Sequence, residues 1–260
     1  MTQVQKQTSV RSLLSNENVK ARFQEILKDR ASSFTANLAV MVNNNQQLQE
    51  CDPMTIISAA VVSASLDLPL DPNLGFAAIV PFNSKDGKKA QFQIMYKGLN
   101  QLAMRSGQYK TIGAAAIHDG QLLSENPLTS EYEFNFNTKT SDKVIGYAAY
   151  FKLINGFEKT VYWPIEQIDK HGKRFSKTYS KGFGLWKDDF ESMAIKTVLK
   201  NLLSKWGVLS LEMQSAVKYD QSVINDESAH DIEYIDNDLD KPELSEGEIT
   251  AKRADDGSEK

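Results

Sequence analysis

The sequence predicts an α+β protein: N-terminal helices, then a β-hairpin and an antiparallel sheet packed on a long C-terminal helix, then a disordered acidic tail. Three observations carry that expectation. Apolar residues recur at helical spacing between residues 11 and 66; turn signals at Asp86-Gly87 and Asn155-Gly156 join runs of strand character; and residues 188 to 206 carry a long helical stripe.

Taken in order, Leu13, Leu14, Phe23, Ile26 and Leu27 mark an interrupted helix, and Phe34, Leu38, Met41 and Val42 a second. The stretch DPMTIISAAVVSASL opens a third, with Asp52 as N-cap and Pro53 at the first helical position. The Pro-rich LDLPLDPN ends the helical part, about residues 10 to 66. LGFAAIVPF and KAQFQIMY then flank NSKDGK as a hairpin, and a short helix over 97–104 stops at Gly107. TIGAAAIH, EYEFNF, VIGYAAYFKL and FEKTVYW have strand character, the last two joined by Asn155-Gly156, a two-residue type I′ signal. After Pro164 come a short helical segment, a basic stretch, the long helix and a weaker helix through SLEMQSAV.

With 260 residues and 41% apolar content, the chain can build a substantial core. The polar start MTQVQKQTSV and the short, Ser-interrupted IISAAVVSASL lead us to expect neither a secretion signal nor a membrane segment, and hence the cytoplasm. The single cysteine, Cys51, fits that compartment. The formal charge of −4 is uneven: residues 221 to 260 hold 13 acids and four bases, which leaves 26 bases against 21 acids in the remainder. The body therefore leans basic, and the tail from residue 219 is too acidic and too poor in aliphatics to order itself. The expected division is a core over 1–218 and a tail over 219–260.

Enzyme signatures are missing. There is no GxxxxGK[ST] loop for ATP and no GxGxxG after a strand, and His118, His171 and His230 lack metal-ligand spacing. Asp188, Asp189 and Glu191 have the composition of a magnesium-dependent nuclease site, but acids there also complement the positive end of the following helix, which is the reading we favour.

The stretch KHGKRFSKTYSKGFGLW, residues 170 to 186, has five basic residues, four aromatics and no acid. Lys173, Arg174, Lys177 and Lys181 interleave with Phe175, Tyr179, Phe183 and Trp186, as a single-strand binder requires: cations follow phosphates and flat rings stack on bases. A solvated loop is the competing reading. In the helix that comes after it, Ile195, Val198, Leu199, Leu202 and Trp206 form a core stripe, while Lys196 and Lys200 recur one turn apart on another face, either toward successive phosphates or simply toward solvent. Lys97, Arg105 and Lys110 make a second basic cluster in YKGLNQLAMRSGQYK.

Three segments in order, LDLPLDPNLGFAAIVPF, QIMYKGLNQLAMRSGQY and LWKDDFESMAIKTVLKNLLSKW, together resemble the RecT family of phage single-strand annealing proteins. The resemblance implies a compact Red beta-like α+β core that coats single-stranded DNA as a ring or helical filament and anneals complementary strands. It implies no catalytic residue and no cofactor: ATP is not expected, and magnesium is left the role of modulating annealing. By motif position it places Lys97, Arg105, Trp186, Lys196 and Lys200 among the DNA-binding residues, with Ile195 standing where relatives sometimes carry a base. The expected partners are single-stranded DNA, the annealed duplex intermediate and further copies of the chain. For the tail, either docking of a host single-strand binding protein or companion exonuclease, or screening of the basic groove, remains open. A passive single-strand binder is the third functional class.

Overall fold

The computed structural model describes residues 9–84, 86–224 and 232–234. Its first part is helical: α1 (Val10–Leu14), α2 (Glu17–Leu27), a 3-10 turn (Lys28–Arg30), α3 (Ala31–Asn43), α4 (Gln46–Gln49) and α5 (Pro53–Ser65). Side chains cap these helices where the sequence places Asn or Asp: Asn16 accepts from the Asn18 amide, Asn45 from Gln47 and Leu48, and Asp52 from Met54 at 2.9 Å. Helix α5 is buried from Thr55 to Ala64, so it is a central rather than a surface helix. Its serines avoid stranding a polar group by bonding carbonyls, Ser58 to Met54 and Ser63 to Leu68.

Strands β1 (Ala77–Ser84) and β2 (Gly87–Ile94) form the expected hairpin, in register from Ala77 opposite Ile94 to Ser84 opposite Gly87, and α5 lies against β2. Thr55 Oγ1 accepts from the Ala90 amide at 2.9 Å and locks helix to strand. Helix α6 (Tyr96–Arg105) follows, and Gly107 takes the left-handed conformation (φ 66°) at its end.

A three-stranded antiparallel sheet, in the order β3-β6-β7, comes from β3 (Tyr109–His118), β6 (Val144–Leu153) and β7 (Glu158–Pro164). The β6-β7 turn differs from the two-residue expectation. The Leu153 amide donates to the Phe157 carbonyl at 2.7 Å, only Gly156 in this turn has positive φ (93°), and the loop is Ile154-Asn155-Gly156. This is the three-residue form in which a left-handed glycine completes the turn. Between β3 and β6, β4 (Leu122–Asn126) and β5 (Glu131–Phe134) form a separate ribbon. Strand β4 escaped the sequence reading because it is short and largely exposed, and so lacks apolar alternation. The ribbon covers one sheet face through Tyr132 and Phe134, whose rings meet Tyr162 at 5.8 and 6.1 Å.

The other sheet face packs on a long helix reached through α7 (Ile165–Phe175), α8 (Lys177–Ser180) and α9 (Leu185–Asp188). That helix is α10 (Phe190–Trp206), which contacts β3, β6, β7 and α6 and so joins the sheet to the helical part. Val198, Leu199, Leu202 and Leu203 form its core stripe. Trp206 does not belong to it: the indole is exposed at the helix end under the Lys159 ammonium, 4.9 Å from the ring centroid. The protein is α+β, with N-terminal helices and antiparallel sheets around a shared core.

The expected boundary at residue 219 falls too early. After α11 (Leu211–Tyr219), Asp220 is buried, β8 (Ser222–Ile224) pairs antiparallel with β2, and β9 (Ile232–Tyr234) adds outside it, giving the order β1-β2-β8-β9. Val223 and Ile224 bury against the core, and this short apolar run within acidic surroundings is what composition averaging hid. The rest of the acidic tail, 225–231 and 235–260, where disorder was expected, lies outside the described residues. Among the described residues no helix is long and apolar enough to cross a membrane.

Candidate nucleic-acid interface

The basic stretch is not a loop. Helix α7 carries on through Lys170, Lys173 and Arg174 to Phe175, and α8 and α9 hold most of the residues from there to Trp186. Its amphipathic pattern explains this: Ile168 and Gly172 face inward, and the basic residues fall on the outer side, where those near the C-terminus complement the helix dipole. Lys173 is exposed and pairs with Asp169 at 2.6 Å; Arg174 lies over the Phe175 ring at 5.0 Å; Lys177 and Lys181 are exposed.

The aromatics of this stretch divide. Phe183 is exposed, whereas Trp186 is 5% exposed and packs on Tyr179 and Phe190, at centroid distances of 5.6 and 5.8 Å. Gly172 permits this, because a Cβ there would come within 2.9 Å of the Trp186 ring. Tyr179 donates to Asp169 at 2.6 Å; burial and that carboxylate push its phenol up to about 12. Trp186 is thus first a packing residue rather than an exposed stacking ring, because α7 closes over it.

Lys196 also departs from expectation. It is 3% exposed, and its ammonium sits 3.0 Å from Asp220 Oδ1. Lys200, one turn on, reaches Asp220 Oδ2 at 2.6 Å and keeps 28% of its side chain exposed. Asp220 Oδ1 accepts a further bond from the Ile94 amide, so one carboxylate ties α10, β2 and the start of β8 together. Burial pushes the Lys196 ammonium down to about 8, against the opposing pull of Asp220. Burial also opposes the Asp220 charge, but the two ammoniums prevail and hold its pKa below the ordinary carboxylate range. The spacing put both lysines on one face correctly; it could not reveal that residues 219 to 224 cover that face.

Lys200 opens into a cavity of about 270 Å³ between α7 and α10, closed by the segment around Asp220 and Gln221. Trp163, Phe175 and Trp186 supply aromatic wall, and His171, Asn201 and Gln221 supply polar edges. His171 lies 5.4 Å from Trp163 and 4.5 Å from Phe175 between ring centroids. Burial, with Lys200 and Arg174 adding repulsion, pushes its imidazole down to about 4, so it is neutral at physiological pH. The sequence reading missed His171, Asn201, Gln221 and Asp220 at this place. The one available signal was the i, i+4 pair Lys200 and Ser204 with Asn201 between, which extends a polar face along α10.

The second expected cluster does not assemble here. Arg105 donates to the carbonyls of Leu66 and Asp67, both at 2.7 Å, and so caps the end of α5; it lines a separate cavity of about 180 Å³ with Asp67 and Glu212. Lys97, in the first turn of α6, and Lys110, on β3, are exposed. Between these basic residues, Gly98 has a structural reason of its own: a Cβ there would stand 2.2 Å from the Phe76 carbonyl oxygen, so only glycine lets α6 cross this backbone.

The acids before α10 act as the capping reading predicts. Asp189 is its N-cap and accepts from the Ser192 amide at 3.2 Å, Glu191 lies in the first turn, and Asp188 ends α9 rather than starting α10. Among the described residues, no three His, Cys, Asp or Glu side chains gather as a metal site would require.

Comparison with known proteins bears directly on this surface. The RecT family model matches residues 32–236, spanning the helical part from α3 onward, both sheets, α10 and β8. The chain is 51% identical over 248 residues to Uncharacterized protein YqaK of Bacillus subtilis, covering 95% of this chain and 82% of that one. It is 32% identical over 189 residues to Protein RecT of Escherichia coli, covering 67% of this chain and 65% of that one. The match extends well past the three resembling segments and takes in the Asp220 region, and on this ground the chain belongs to the RecT family.

Proposed function

We propose that this protein binds single-stranded DNA and anneals complementary strands without ATP, working as a homo-oligomer in homologous recombination of a phage, within the cytoplasm of its bacterial host. The reading is carried by the conjunction of RecT-family membership with Lys200, whose partly exposed side chain lies beside the basic outer face of α7. Phosphates supply most of the affinity and carry no sequence information, so strands held by Lys200, Lys173, Arg174, Lys177 and Lys181 keep bases free to pair. Lys97 and Lys110 extend the surface along α6 and β3. Lys196 and Arg105 contribute by holding Lys200 and the α5-α6 junction in place. Pairing itself supplies specificity and driving force, so no catalytic residue is needed. Magnesium would act on strand repulsion rather than on a bond.

Protomers repeating along a strand, as a ring or a helical filament, would keep it extended for pairing, and the N-terminal helices α1 to α4 are the surface we assign to contacts between copies. The acidic residues beyond β9 are assigned to partner docking, with a host single-strand binding protein or a companion exonuclease as the partner.

The nuclease reading is separable in one experiment. Labelled single strands incubated with the protein and magnesium should shift in a native gel and keep their full length in a denaturing one. Shortened strands would establish cleavage and sink the annealing reading; full-length strands with no shift would remove DNA binding altogether.

A further inference from the structure

The cavity between α7 and α10 has more chemistry than phosphate binding uses. Its aromatic wall is Trp163, Phe175 and Trp186, and its polar lining includes, besides the Lys196–Asp220–Lys200 cluster and two hydroxyls, the side chains of His171, Asn201 and Gln221. None of these three makes a side-chain hydrogen bond among the described residues. The Tyr179 hydroxyl, in the same ring cluster, is by contrast satisfied by Asp169. A concave site with aromatic walls and a few convergent, unpartnered polar groups is the usual form of a small-ligand site.

The chemistry narrows the ligand. The amides of Asn201 and Gln221 each offer donors and an acceptor, and a neutral His171 offers one of each, which matches the mixed edge of a nucleobase rather than a carboxylate or a sugar. At the cavity margin two lysines share one carboxylate, Asp220, so the cluster has a surplus positive charge, and Lys200 is the partner whose side chain is partly exposed. An anion attached to a flat heterocycle satisfies both halves. The volume, about 270 Å³, lies just below the roughly 300–1,000 Å³ of drug-sized sites, a size that suits a single nucleotide base.

We propose that this cavity takes a single nucleotide of the bound strand, its base turned in among Trp163, Phe175 and Trp186 and read by His171, Asn201 and Gln221, its phosphate on Lys200. The inference rests on the DNA-binding reading and adds to it. One base per protomer is withdrawn from pairing while its neighbours stay free, which fixes the strand's position on each copy and stops it from sliding. Base insertion against aromatic side chains is a general means of holding a nucleotide out of a stack.

The test uses the full chain carrying Trp206→Phe, which removes the indole at the helix end and leaves, of the protein's three tryptophans, the two that line the cavity. Tryptophan emission and strand anisotropy are followed with three probes: an oligodeoxythymidylate, an abasic strand of the same length and thymidine 5′-monophosphate. The base-bearing strand should bind and quench, and the abasic strand should bind without quenching. His171→Phe and Asn201→Leu, each checked for native circular dichroism, should weaken the base-bearing strand at least about five-fold, the effect of one stacked base, and leave the abasic strand unchanged. Equal quenching by the abasic strand, or equal weakening of both strands, would overturn the proposal while leaving DNA binding standing. Quenching by the mononucleotide with no strand bound would keep the ligand class and overturn the strand as its source. Absence of both strand binding and mononucleotide quenching would overturn the pocket and the DNA reading together.

Discussion

The Lys196 ammonium lies 3.0 Å from Asp220 Oδ1 in the interior of the protein, where Lys200 grips the same carboxylate from the solvent side. A charge this deeply buried is tolerated only while its partner is present.

Asp220→Ala should therefore destabilise the fold by about 3–5 kcal/mol, since it strands the Lys196 charge and frees the Ile94 amide. Lys196→Met should cost less, because Asp220 keeps Lys200 and that amide. Urea melts of the parent and the two variants give the comparison; equal losses for both variants would mean that the pair does not anchor this part of the fold.

In the proposed reading Lys200 and Lys181 hold phosphates, Lys200 in addition to its pairing with Asp220. Lys200→Ala and Lys181→Ala should each weaken single-strand binding regardless of sequence and reduce the salt slope by about 0.7. Affinity measured over a range of salt concentrations reads this directly, and an unchanged slope would take that lysine out of the phosphate path.

Gly98→Ala should lose about 1–3 kcal/mol or more, because the added carbon meets a backbone oxygen that cannot move without parting α6 from residue 76. Thermal melting checks it, and a neutral result would show that α6 can move away from that backbone at little cost.

The imidazole of His171 gives a pH dependence with a defined sign. Its folded pKa is about 4 against 6.5 for an unperturbed histidine, with burial the main cause. Between those values the unfolded chain binds a proton that the folded one refuses, so stability falls as pH drops through that window. His171→Phe should flatten the decline between pH 6.5 and about 4 relative to the parent. Denaturant midpoints measured across that range would show it, and parallel curves would rule His171 out as the cause.

The long elements were legible because local chemistry decides them. Asp52-Pro53 starts α5 and Asp189 starts α10, each through bonds within a few residues, and Asp86-Gly87 marks the first hairpin, although Gly87 already pairs with Ser84 as the first residue of β2. The features that escaped are set by distant chain. The burial of Lys196 depends on Asp220, 24 positions away, and the capping role of Arg105 on carbonyls 38 and 39 positions back. The basic stretch reads as loop because its charges and glycines outweigh the apolar spacing of Ile165, Ile168 and Gly172; the sheet and Trp186 give that helix its inner face. Charge pattern pointed to the neighbourhood of the candidate site, and packing decided which of its residues are buried.

The most direct test of annealing is the pairing rate of two complementary labelled strands in nucleotide-free buffer, with and without the protein, read out by energy transfer. Acceleration that depends on complementarity and falls in Lys200→Ala is the predicted result. Strands that bind the protein yet pair no faster than in buffer would contradict it and leave a passive single-strand binder.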